Sequence, residues 1–264
     1  MKNVVTIPLA LGGLLFASAM AMLPLNVGAQ TTLYTHTFDG GTALIDNTVP
    51  DGGTLAGGGN EWTADSFNGW QQDGSTGRAS DLLLLPFSPV SGFEYTLTAT
   101  VRRPDDGSNG WINVGFFDVG VFDQNSKPSA LSDAFIWQLF NPDTGANDVV
   151  AHYNPSGGST IVGNFNGIGP GGTAELSIVL DTTGGSGNWT ASYFVDGTEY
   201  VSEQNIAASV ESQLNGVGIG TDQGGDDGIR ADSFELTQIP EPSVAALALG
   251  GLAGVLALRR RTRC

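Results

Sequence analysis

One cysteine in 264 residues leaves no disulfide framework and no cysteine-based zinc site. Basic side chains are scarce as well, 10 against 27 acids, for a formal charge of −17. That balance excludes nucleic acid as a partner, because phosphate binding needs clustered Lys and Arg. The two histidines, His36 and His152, each stand in an alternating stretch beside aromatic residues, where a packed imidazole is expected rather than the base of a serine triad. Helical periodicity is missing between residues 31 and 238. Glycine is plentiful at 39 residues, and 40% of the chain is hydrophobic, unlike a highly charged disordered polymer.

Both ends read as addresses. Lys2 is followed by an apolar run from Val4 to Leu25, interrupted by Pro8 and Pro24, and then by Val27-Gly28-Ala29. This is the layout of a secretory signal peptide over residues 1–29, with an N-terminal anchor as the competing reading. At the other end Pro240-Glu241-Pro242 precedes an uninterrupted Val, Ala, Leu and Gly run over 244–258, closed by Arg259, Arg260, Arg261 and Arg263. An apolar run before a basic cluster is a stop-transfer pattern. Its 15 residues would span roughly 22 Å as a helix, short of a membrane core of about 30 Å.

The segment 239–264 resembles the bacterial PEP-CTERM sorting signal, with Ile239 where Val is common. The resemblance implies an exosortase-type processing protease as partner. It also implies transient inner-membrane anchoring, then release to the cell surface or an extracellular polysaccharide matrix. A simple C-terminal anchor is the alternative. Removal of both ends takes Lys2 and the four tail arginines, leaving Arg78, Arg102, Arg103, Lys127 and Arg230 against 26 acids. The body then carries about −21, which favours solubility and repels anionic surfaces.

The body, residues 30–238, is expected to be a single all-β domain. In Glu94 to Arg102, Tyr95, Leu97, Ala99 and Val101 take one face and Thr96, Thr98 and Thr100 the other. That alternation predicts an antiparallel strand with one wet face. Further strands are predicted at 33–38, 111–119, 135–140, 148–153, 175–181, 188–195, 198–202, 217–221 and 229–237. Asp196-Gly197 forms a two-residue hairpin turn. Gly216, Gly218 and Gly220 share one face, which implies a bend or a close packing partner. Strand number and spacing predict a two-sheet antiparallel sandwich, a jelly roll. Leu176 to Thr183, Trp189 to Gly197 and Asp232 to Leu236 resemble concanavalin A-like (laminin-G-like) jelly rolls, which implies that fold and leaves function open.

Catalytic patterns are sparse. Glycosidases of this architecture need paired carboxylates on one strand face. Asp196, Glu199 and Glu203 come nearest, and all three are expected on the surface. A non-catalytic domain is therefore expected, with a carbohydrate-binding module or a divergent polysaccharide-active enzyme as alternatives. No cofactor is required. Calcium is the candidate ion, because hard cations take oxygen ligands from flexible loops. Asp222, Asp226 and Asp227 lie in one Gly-rich loop, without EF-hand spacing. By period two, Asp232 shares a face with Phe234 and Leu236 and should point inward, where a carboxylate needs a partner. Asp39, after the first strand, is its candidate co-ligand. Trp62 and Trp70, in a Gly-, Asn- and Asp-rich region, are the candidate polysaccharide contacts, with a core plug as the rival reading.

Overall fold

In the computed structural model the described residues are 29–64, 69–75, 80–102, 111–118, 134–141, 148–154, 160–169, 171–222 and 230–241. The apolar run 244–258, Pro242, the tail arginines, Asp226, Asp227 and nearly all of the signal segment lie outside them. Among the described residues no helix is long and apolar enough to cross a membrane.

Residues 28–241 form one compact unit. Its strands are β1 (Thr31–His36), β2 (Thr63–Ala64), β3 (Ser80–Pro86), β4 (Phe93–Arg102), β5 (Trp111–Phe117), β6 (Ala134–Phe140), β7 (Val149–Tyr153), β8 (Thr160–Phe165), β9 (Thr173–Asp181), β10 (Thr190–Val195), β11 (Thr198–Asn205), β12 (Gly216–Asp222) and β13 (Arg230–Pro240). A single helical turn, α1 (Ala208–Glu211), precedes β12. The six-stranded sheet runs β1-β13-β4-β9-β10-β11 and the seven-stranded sheet β2-β3-β12-β5-β6-β7-β8. Every named strand pair is antiparallel. The architecture is thus the expected all-β sandwich of two antiparallel sheets, with almost no helix.

Alternation places the core. Tyr95, Leu97, Ala99 and Val101 of β4 face inward beside Leu176, Ile178 and Leu180 of β9, and opposite them lie Ile112, Val114 and Phe116 of β5 with Val217 and Ile219 of β12. Gln138 of β6 is fully buried in this layer. Its Nε2 donates to Ser177 O of the other sheet at 2.6 Å, and its Oε1 accepts from Tyr200 Oη at 3.1 Å. This amide ties the sheets together while remaining satisfied, the condition under which a buried polar group is tolerated.

The Gly-rich stretch before β3 folds back onto the sandwich. Ile45 N–H donates to Trp70 O, and Asn47 N–H and Trp62 N–H bond across to Trp62 O and Thr48 O. Asp46 Oδ1 accepts Ala64 N–H at 2.9 Å. Trp62 and Trp70 are consequently 0% exposed. Trp62 meets Phe234 edge-on, with centroids 5.2 Å apart, and Phe38 lies between the two indoles. Their expected role as surface contacts for a polysaccharide is corrected here: both are core plugs. Polar turn residues make this stretch look like a loop, but it encloses two of the largest apolar side chains in the chain.

Trp62→Ala should therefore cost about 3–5 kcal/mol, the range for emptying a buried aromatic site. Urea denaturation measures it. An unchanged midpoint would mean that the indole is not a core anchor.

Candidate functional site

The predicted ion ligands do not converge. Asp39 is exposed in the turn after β1. Asp232 is also exposed, 44% by side chain, with Oδ1 3.9 Å from Arg102 Nη2. The expectation that it points inward fails because the β13–β4 register shifts between Ala231 and Ser233. A bulge inserts one residue and moves the following side chains by one step in the alternation. Ala231, Phe234 and Leu236 are buried, and Asp232 is turned to solvent. At half-exposed separation, its pairing with Arg102 contributes little to stability. Asp222 ends β12 opposite Trp111 and Ser80. Among the described residues no group of three or more His, Cys, Asp or Glu side chains could hold a metal ion.

Several carboxylates serve instead as main-chain acceptors. Asp51 Oδ2 takes Thr37 N–H at 2.7 Å, and buried Asp148 Oδ2 takes Gly167 and Ile168 N–H at 2.6 and 2.8 Å. Asp196 Oδ1 takes Glu175 N–H at 2.9 Å, and Glu211 holds Gly187 N–H and Ser186 Oγ. Asp196 is a turn residue with φ +48°, so the nearest approach to a catalytic carboxylate in the sequence is a hairpin fastener.

Among the described residues, two features stand out. The first is the outer face of the seven-stranded sheet. Register brings His152, Trp137, Gly115, Gly218 and Leu84 into one row, and Val150, Leu139, Asn113, Gly220 and Leu82 into the next. The glycine face seen in the sequence is thus the middle of a trough that is filled and buried, with Leu82, Leu84, Trp137, Leu139 and Val150 in one apolar cluster. A Cβ on Gly115 would run into Trp137 and the Ile136 carbonyl, and one on Gly218 into Leu84 and the Leu83 carbonyl. Large side chains lean over the glycines from both flanks. Trp137 and His152 stack with centroids 3.9 Å apart and planes 2° from parallel. Asn113 is 0% exposed, and neither its Nδ2 nor its Oδ1 has a hydrogen-bond partner; Trp137 Nε1 has none either. Unsatisfied buried amides are rare and call for an explanation. The sequence signal was present: Asn113 breaks an otherwise apolar strand. Without knowledge of which row it joins, that signal had no direction.

The second place is a cleft of about 530 Å³ at one end of the sandwich. Leu33, Leu55, Phe87, Val90 and Tyr95 supply its apolar wall, and Asn60 and Gln238 are among its polar edges. Tyr34 Oη, beside them, donates to Pro86 O at 2.7 Å, and burial pushes its pKa up to about 12. None of the described lining residues is charged.

Burial lowers the pKa of both imidazoles. His152 falls to about 4 through desolvation. His36 falls too, desolvation outweighing the pull of Asp51 and Asp39. Its Nδ1 lies 3.3 Å from Asp51 Oδ1 without hydrogen-bond geometry, while its ring meets Phe38 edge-on at 4.6 Å. Both rings are thus neutral at pH 7.

No protein-family profile and no curated protein matches the chain. Solved structures with similarity include the carbohydrate recognition domain of Emp47p, at 12% identity over 80% of this chain and 97% of that one, with a TM-score of 0.45. Alginate lyase Aly36B shares 11% identity over 81% and 96%, with a TM-score of 0.39. Sheep Galectin-11 shares 13% over 58% and 95%, with a TM-score of 0.38. The sandwich itself follows from the strand pairing, not from these likenesses.

The lowered imidazole pKa values fix a pH response. A group whose folded pKa lies below its unfolded value binds protons preferentially in the unfolded chain. The contribution of His152 is intact above pH 6.5 and is lost progressively as pH falls to about 4. His152→Phe keeps a ring against Trp137 and should flatten urea stability over this window relative to wild type. Identical pH slopes in the two proteins would refute the assignment.

Proposed function

We propose that the protein is an exported, exosortase-processed component of the cell surface or extracellular matrix, whose sandwich acts without catalysis. The observation that carries this reading is the order of parts at the C-terminus: a last strand ending in Pro240, then Glu241-Pro242, 15 apolar residues over 244–258, and the arginine cluster. Each part has a physical task. The apolar run enters the bilayer, the arginines hold its far end in the cytoplasm, and the short span leaves a marginal anchor suited to removal. The signal segment 1–29 provides export. A non-catalytic role fits Asp51, Asp148, Asp196 and Glu211, whose carboxylates accept main-chain N–H groups. It also fits the low basicity of His152, a poor general base near neutral pH.

Replacing Arg259, Arg260, Arg261 and Arg263 together by Ala should abolish membrane arrest and alter processing. Mass spectrometry of the mature chain with cell fractionation measures both. The same mature mass and location in wild type and variant would overturn the sorting reading.

A second reading, favoured by the cleft of about 530 Å³ with its apolar wall and its Asn60 and Gln238 edges, is contact with a neutral polysaccharide at that end of the sandwich. Calcium as a stabilising ion would then fall to Asp222, Asp226 and Asp227, since Asp39 and Asp232 are both solvent-facing. A buried, unsatisfied amide lowers stability by about 1–3 kcal/mol. Asn113→Val should raise stability by about 1 kcal/mol, a Tm rise of roughly 2–4 °C in a domain of this size. Val90→Asp, at the exposed rim of the cleft, should reduce retention on any polysaccharide that a glycan array identifies. Undiminished retention in that variant would remove the cleft from the contact surface.

A further inference from the structure

Asparagine followed by glycine is the step of a polypeptide most prone to spontaneous deamidation. The glycine amide nitrogen loses its proton and attacks the asparagine carboxamide carbon. A five-membered succinimide closes and ammonia leaves. Water then opens the ring to aspartate or isoaspartate. Glycine favours the attack because it carries no side chain and its backbone turns freely. The chain contains four such steps, at Asn68, Asn109, Asn166 and Asn215. Asn68 and Asn109 lie outside the described residues. Asn166 stands just past the end of β8, exposed, with exposed Gly167 after it. Gly167 has φ +123°, a conformation that L side chains rarely adopt. The backbone therefore demands glycine there, and with it the reactive pair.

Buried Asp148 opposes the reaction. Its Oδ2 accepts Gly167 N–H, whose nitrogen is the attacking atom, at 2.6 Å, and Ile168 N–H at 2.8 Å. Its own N–H donates to Phe165 O at 3.1 Å. One residue thus holds main-chain groups on both sides of Asn166, and the Ile168 side chain is seated in the core beyond them. Ring closure needs the Asn166–Gly167 peptide to swing toward the Asn166 side chain and its nitrogen to give up the proton. The swing strips a carboxylate of a short, charge-assisted hydrogen bond. Asp148 is 5% exposed, so little water reaches it to replace that donor, and a buried anion without its donors is costly.

We propose that Asn166 is a latent deamidation site and that Asp148 is the group that keeps it closed. Asn215 is restrained differently. Its Nδ2, on the group that would leave, donates to Asp118 Oδ1 at 2.7 Å, and Gly216 already stands in β12 between Pro86 and Phe117. Reaction at Asn166 would undo its own restraint. Isoaspartate adds one main-chain carbon between Phe165 and Gly167, two of the residues that Asp148 holds. Either product also puts a new carboxylate on the surface of an already acidic chain.

The test follows each asparagine by peptide mapping and mass spectrometry of the full chain, held in mildly alkaline buffer where the amide attack is fast. A synthetic peptide of residues 162–171 gives the unrestrained rate. Asn166 in the wild type should react many-fold more slowly than in the peptide. Asp148→Ala should bring it close to the peptide rate, and Asp148→Asn, which keeps one acceptor oxygen, should fall between. The Asn215 rate should stay at its wild-type value in both variants, which a variant that had merely unfolded would not show. Amide hydrogen exchange of the wild type needs no variant: Gly167 N–H should exchange slowly although the residue is exposed. If both asparagines accelerate together in the variants, this exchange measurement decides. Peptide-like reaction of Asn166 in the wild type would overturn the assignment, as would a freely exchanging Gly167 N–H. So would an Asp148→Ala variant in which Asn166 reacts no faster than in the wild type; a slower reaction there would make Asp148 the base that takes the proton.

Discussion

Strand β13 is the element on which the rest depends. It is an interior strand of the six-stranded sheet, next to the edge, held by β1 on one side and β4 on the other. Its register with β4 runs from Arg230 opposite Arg102 to Pro240 opposite Phe93, broken only by the bulge at Asp232. Phe234 from this strand meets Trp62 of the folded-back segment, and Ala231 N–H donates to Gly74 O. The same strand thus bridges β1 and β4, seats the tryptophan plug and delivers the chain to the Pro-Glu-Pro segment. A main-chain ladder of this length opens cooperatively, because loss of an internal pair leaves buried polar groups without partners.

The acidity of the body has a structural side. Main-chain N–H groups at turns must bond to something, and in this chain Asp and Glu often supply the acceptor. Asp46 fastens Ala64, Asp51 fastens Thr37, Asp73 fastens Ser75, Asp181 fastens Thr183, and Asp196 fastens Glu175. These are Asx-type and longer-range side-chain bonds, which stabilise glycine-rich connections that lack secondary structure. Excess negative charge therefore does not by itself indicate an ion site. These five carboxylates stand at separate places along the chain, each bonded to a main-chain N–H.

Alternation made much of the fold legible. The period-two pattern of Glu94 to Arg102 gave the inward residues of β4, and the regular spacing of the strands gave the two-sheet sandwich. What failed has identifiable causes. Strand β3 was missed because Leu82 to Leu85 is apolar at every position: the inner face meets the core and the outer face joins a second cluster with Phe117, Trp137, Leu139 and Val150. A strand buried on both faces shows no alternation to read. Asp232 was misplaced by one bulge, which reverses facing without any mark in the local sequence. Trp62 and Trp70 were set in a loop because their neighbours are Gly, Asn and Asp, while their burial depends on contacts with Phe38 and Phe234, distant in sequence. The trough row of Trp137, Gly115 and Gly218 needed three strands in register, and no single stretch contains it.

Pro240 belongs both to the sheet and to the Pro-Glu-Pro motif. In an antiparallel strand, successive residues point their main-chain groups to opposite neighbours. Glu241 N–H is directed at Gly92, on the β4 side. Pro240, one residue earlier, therefore faces the β1 side, as does Gln238, two residues before it. The β1–β13 ladder ends at the pair Thr31 and Gln238. The next position that would donate to an extension of β1 is Pro240, which has no N–H to give. A proline on an open edge ends pairing at little cost, since the missing donor faces no partner. The residue that begins the Pro-Glu-Pro motif thus also stops the N-terminal strand from zipping along it, so Ile239 to Glu241 keep one edge paired to β4 and the other open.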